Sequence, residues 1–206
     1  MVMVERSRAM QPTIRPWQHV LDFWFRPEDH AEHSDDRPEW FRKDAAFDAS
    51  IREQFLPDIE TALAGGFADW ESDGDPRGAL ARIILLDQFT RNTFRDTPRA
   101  FAGDALALEA ALSLVDSGRD KLLGQVQRSF VYLPFEHAED LALQQRGVAL
   151  NEALGRETHR KNTAEWAIRH RDIIARFGRF PHRNQILGRE STPEEIEFLK
   201  TPGSSF

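Results

Sequence analysis

Asp75-Pro76-Arg77-Gly78-Ala79-Leu80-Ala81-Arg82-Ile83-Ile84-Leu85-Leu86-Asp87-Gln88-Phe89-Thr90-Arg91-Asn92-Thr93-Phe94 reads as one helix with a defined start. Asp75 is an N-cap and Pro76 sits where a missing N–H costs nothing. At 100° per residue, Leu80, Ile84, Asp87 and Arg91 fall within a ~60° arc. Ile83, Leu85, Leu86 and Phe89 occupy most other directions, so the helix is expected to be central, with other helices packed around it. An unpaired Asp87 on that stripe would cost several kcal/mol, and Arg91 at i+4 is its first candidate partner. Gln88 and Asn92, four apart, form a candidate amide pair beside it. Two roles stay open for Asp87: an ion pair that fixes register, or a ligand-binding or catalytic carboxylate.

Working outward, nearly every apolar stretch repeats at helical spacing and none alternates as a strand would. A first helix covers Trp17 to Phe25. After a polar loop through Ser34-Asp35-Asp36, a short helix from Pro38 to Arg42 leads into one from Asp44 to Phe55, which Pro57 kinks or restarts and Gly65-Gly66 ends. Thr97-Pro98 opens a helix to Asp116. Further helices are expected over Lys121 to Tyr132, then, after a break at Pro134, over Glu136 to Leu154, and over Thr158 to Phe177. Thr192-Pro193-Glu194-Glu195 is a capping box that starts a short last helix to Leu199. The expectation is an all-α chain of about eight to ten helices in antiparallel hairpins. Residues 1–16 read as a flexible leader and residues 17–206 as a single domain.

The composition excludes several functions. With 206 residues and no cysteine, the chain has no disulfide, no thiolate nucleophile and no cysteine-ligated metal. A net charge of -7 argues against broad attraction to nucleic acid or anionic lipid, and no apolar run reaches membrane-spanning length. A cytoplasmic location is expected. P-loop, Rossmann, serine-hydrolase and H-E-x-x-H motifs are absent. A mixed site of His137, His170, His182 and an acid lacks diagnostic metal spacing, so no metal or cofactor is assigned.

Within that acidic chain, Phe177-Gly178-Arg179-Phe180-Pro181-His182-Arg183-Asn184-Gln185-Ile186-Leu187-Gly188-Arg189 gathers three arginines, a histidine and an asparagine on a punctuated loop. Guanidinium forks at this density bind an anion, either a ligand's or the protein's own. His137 is placed in the first turn of a helix, where the dipole favours neutral imidazole, with Gln144 on the same face. His170 lies on the inward stripe of the helix that ends at Phe177, two turns from the loop.

Six segments together resemble the bacterial family catalogued as domain of unknown function 924. They are Val20 to Phe25, Trp40-Phe41, Leu86 to Asn92, Tyr132 to Asp140, Phe177 to Asn184 and Pro202-Gly203-Ser204-Ser205-Phe206. The resemblance implies an all-helical fold similar to the right-handed tetratricopeptide-like superhelices, without that repeat's signature. It implies no activity, ligand or catalytic residue.

Two functions are expected from the residues. In one, the chain is a small-molecule enzyme or binder for a carboxylate or phosphate. There Arg91 and Arg183 hold the anion, His137 or His182 moves a proton and Asp87 orients a partner, with Gln88, Gln144, His170, Arg179 and Asn184 completing the site. In the other, stacked hairpins offer a groove to an acidic peptide or to a chain terminus such as Phe206. A deep pocket enclosing the histidines favours the first, an open groove the second.

Overall fold

The computed structural model describes residues 15–205 apart from positions 34, 41, 73 and 160–162. Of the proposed leader only Arg15 and Pro16 fall within it. Ser34, Phe41 and Phe206, each named above, lie outside the described residues.

Helix α1 (Gln18–Phe25) buries Val20, Leu21, Trp24 and Phe25. Helix α2 (Ala45–Leu63) starts at Asp44, whose carboxylate accepts from the Ala46 and Phe47 amides. It continues through Pro57 to Leu63 instead of restarting there. Asp75 accepts from the Arg77 amide at the start of α3 (Pro76–Ile83). That helix passes without a break into a π-helical segment, Ile84–Phe89, and then into α4 (Thr90–Thr93). This rod contacts α1, α2, α5 and α6, and Leu80, Ile83 to Leu86 and Phe89 are fully buried in it. The central position expected from its all-round apolar surface is the one it takes.

Two corrections concern proline and glycine. Helix α5 (Asp104–Asp116) does not begin at Pro98: Pro98–Phe101 is a separate 3₁₀ turn, and Gly103 stands between them. A Cβ on Gly103 would lie 2.1 Å from the Leu86 carbonyl oxygen, so this close approach of two backbones requires glycine. Helix α6 (Gln125–His137) runs through Pro134, and the break falls instead at Ala138 to Asp140. A helix-interior proline costs ~3 kcal/mol. Burial of Val126, Phe130, Val131, Tyr132 and Phe135 against neighbouring helices offsets it.

Helix α7 (Leu141–Thr158) folds back on α6: Gln144 donates to the Glu136 carbonyl at one end and Arg128 reaches Glu157 at the other. Helix α8 (Glu165–Phe177) packs on α7. Gly178, at φ 69°, ends α8 in the left-handed conformation. The Thr192–Glu195 capping box forms at the start of α9 (Pro193–Leu199). The fold is all-α, with no strand among the described residues. No helix is long and apolar enough to cross a membrane, among the described residues.

Candidate functional site

The π-helical segment gives the site its base. Its wider turns redirect carbonyls, and side chains take them up: the Thr90 hydroxyl donates to the Leu86 carbonyl at 2.8 Å and Arg91 Nη1 donates to the Asp87 carbonyl at 2.7 Å. The Asp87 side chain is 1% exposed and fully partnered. His137 Nδ1 donates to its Oδ1 at 2.7 Å, Arg91 Nη1 lies 3.1 Å from the same oxygen, and Gln88 Nε2 donates to Oδ2 at 2.6 Å. Asn92 bonds Asp48 at 2.7 Å, so the expected Gln88–Asn92 pair does not form.

A second carboxylate, Asp104, sits one residue beyond Gly103. It meets Arg91 at 2.9 Å and Arg183 at 3.2 Å, so two guanidinium groups share it. The Arg183 side chain is 8% exposed and lies over the Phe101 and Phe180 rings, 4.6 and 4.5 Å from their centroids. Its Nε has no hydrogen-bond partner among the described residues. Burial and then the nearby Arg91 charge pull its pKa down to about 10.

His137 corrects the sequence reading. It is the last residue of α6, not the first-turn residue of a following helix, so the dipole there favours the charged ring. Its pKa is nonetheless lowered, by burial first and the Arg91 cation second, with Asp87 only partly opposing. Burial, the largest single influence, works to raise the Asp87 carboxyl, but the Arg91 charge, the His137 ring and the bonds from His137 and Gln88 together outweigh it and hold the group below the ordinary carboxylate range. The pair is therefore an ionised Asp87 and a neutral imidazole whose proton is on Nδ1, leaving the lone pair on Nε2.

Beside it, His170 donates from Nδ1 to the Trp166 carbonyl at 2.8 Å, and its ring centre is 6.1 Å from that of His137. Burial lowers its pKa to about 3, and that of His182 to about 4. Glu136 accepts from Asn151 Nδ2 at 3.0 Å, and its Oε2 is 3.8 Å from His170 Nδ1. Burial pushes its carboxyl up to about 8, so it keeps a proton at neutral pH.

These groups line a groove of about 870 Å³. Of the residues singled out from sequence, Gln88, Arg91, His137, His170, His182 and Arg183 line it, while Asp87 sits behind His137. Three others do not line it either. Gln144 holds the Glu136 and Ala138 carbonyls at 2.5 and 2.8 Å. Arg179 pairs with Glu195 at 2.7 Å, and buried Asn184 bonds Ser191, Glu195 and Arg189. These three anchor backbone and loop, and of the three loop arginines only Arg183 turns into the groove. Sequence reasoning missed Asp104 and Glu136. Asp104 falls inside the helix expected from Pro98 with nothing to mark it, and Glu136 carries no signal beyond its place beside His137. Among the described residues no group of three or more histidines and carboxylates is arranged to hold a metal.

The sequence pattern of a group of bacterial proteins of unknown function, DUF924, matches residues 20–203. The chain belongs to the DUF924 family. A solved structure of a protein of unknown function from Agrobacterium tumefaciens is similar to it, at 40% identity over 89% of this chain and 96% of that one, with a TM-score of 0.78. No curated protein matches. The DUF924 segments quoted from the sequence include both the Asp87–Arg91 stretch and the His137 and Arg183 segments that meet at the groove.

Proposed function

We propose that the groove binds a small molecule through its carboxylate or phosphate and carries out acid–base chemistry on it. The observation that carries this reading is Arg183: a buried guanidinium that shares the Asp104 carboxylate with Arg91 and whose Nε has no partner among the described residues. A bound anion would supply the missing acceptor and relieve the repulsion between the two cations. The neutral His137, oriented by Asp87, is the base, taking a proton on Nε2. Glu136 holds the proton that such chemistry returns. Support for a small-molecule site also comes from the groove's volume, within the ~300–1,000 Å³ usual for ligand pockets, and from its shielded histidines. Their side chains are 14% exposed at His137 and 9% at His170.

A thermal-shift screen against carboxylates and phosphates tests this. Stabilisation by one anion class is expected, lost in Arg183→Gln and retained in His137→Gln, which instead loses turnover. No response from any anion, or a response unchanged in Arg183→Gln, contradicts the proposal.

One observation favours a second reading, a groove that takes an acidic peptide or a chain terminus: Ser205 is among the residues lining it. Removal of residues 202–206 then opens the groove to added acidic peptide, whereas the small-molecule reading predicts no peptide binding by the shortened chain.

A further inference from the structure

The groove has a polarity along α6. Ser129, Phe130, Leu133, Glu136 and His137 all line it and fall at i, i+1, i+4, i+7 and i+8, a single face of the helix. Glu136 and His137 stand at the C-terminal end, beside Arg91 and Arg183. One turn back is Leu133 and two turns back Phe130, so an apolar strip begins where the charged cluster stops. Across it stands Leu154 of α7, because the two helices are antiparallel and Asn151, one turn earlier, already contacts Glu136. Trp40 closes the strip against Phe130, ring centres 4.8 Å apart. Seven residues at ~1.5 Å each place Phe130 about 10 Å along the axis from His137.

A small polar metabolite makes no use of apolar groups such as Leu133, Leu154, Phe130 and Trp40 set in the groove wall beside the cation pair. We propose, resting on the anion-binding reading above, that the ligand is amphipathic: an anionic head at Arg91 and Arg183 and an unbranched or aryl hydrocarbon body along Leu133, Leu154 and Phe130. Charge complementarity at Arg183 fixes which end enters the polar cluster. A zigzag of ~1.5 Å carbon–carbon bonds covers that strip in about eight bonds. The chemistry at His137 then acts next to the head group, while the body supplies most of the affinity.

The test is calorimetric titration of the full-length protein with straight-chain monocarboxylates from acetate to decanoate, with hexyl phosphate and with 1-hexanol. Affinity is expected to rise about fourfold per methylene and to level off near octanoate. Hexanoate and hexyl phosphate should bind at least tenfold more tightly than hexanol, and Leu133→Gln should flatten the rise. The wild-type series alone decides the matter if that variant misfolds. A flat series that still depends on Arg183 overturns the amphipathic ligand and leaves the anion site standing. A rising series in which hexanol equals hexanoate and Arg183→Gln changes nothing overturns the anion site, and with it this inference. Binding of none of these probes overturns both.

Discussion

Glu136 and the histidines around it load the site with proton-linked free energy of opposite signs. His170 and His182 have pKa values of about 3 and about 4 in the folded state against an ordinary 6.5, so the unfolded chain binds protons that the native one does not, and stability falls as pH drops below 6.5. Glu136, at about 8 against 4.5, behaves in the other direction. The native state keeps its proton while the unfolded state has lost it, so the stability present below pH 4.5 declines as pH rises toward 8. Between 4.5 and 6.5 the histidines outnumber it. From 6.5 to 8 Glu136 acts without them, and at ~1.36 kcal/mol per pH unit the loss is about 2 kcal/mol. Chemical denaturation at pH 6.5 and pH 8 should show this decline in the native protein. It should be absent in Glu136→Gln, whose amide oxygen can still accept from Asn151. An equal decline in the variant would place the titrating group elsewhere.

The π-helical segment and α5 meet at Gly103, and the site depends on how closely. Gly103 lets the start of α5 approach the Leu86 carbonyl, which brings Asp104 between Arg91 and Arg183. Gly103→Ala should cost about 3 kcal/mol from overpacking against backbone and should raise the midpoint concentration for any anion that binds Arg183. A stable variant with unaltered binding would show that this approach does not matter. Elements whose local chemistry specifies them were legible in sequence: the caps at Asp75 and Thr192, and the apolar stripes of α1 and the central rod. Those set by tertiary packing were not. Pro57 and Pro134 are strong local stop signals, yet α2 and α6 pass through both because the surrounding helices bury what lies beyond them. Moving the break from Pro134 to Ala138 also transferred His137 from the start of one helix to the end of another. The Asp87–Arg91 pair read from its i,i+4 spacing forms, but the Gln88–Asn92 pair read from the same spacing does not, because Gln88 turns to Asp87 and Asn92 to Asp48 of α2.

At the scale of the molecule, a chain of net charge -7 places Arg42, Lys43, Arg91, Arg95 and Arg183 along one groove. Among the described residues the acids that line it are Glu136 and Asp96, and burial keeps the first protonated at neutral pH. The two other loop arginines are neutralised outside, Arg179 by Glu195 and Arg189 by Glu139, as is Arg176 near the end of α8 by Glu194. On the proposed reading the arginine-rich loop serves both purposes weighed from sequence. Arg179 ties the loop to α9 and Arg189 ties it to Glu139 between α6 and α7, while Arg183 faces the groove. The most direct test of that division is a crystal structure of the protein soaked with hexanoate. The account predicts a carboxylate within hydrogen-bond distance of Arg183, close to His137, with the chain running toward Leu133 and Phe130. A groove left without hexanoate at saturating concentration, or a carboxylate bound at Arg179 or Arg189 instead, would contradict it.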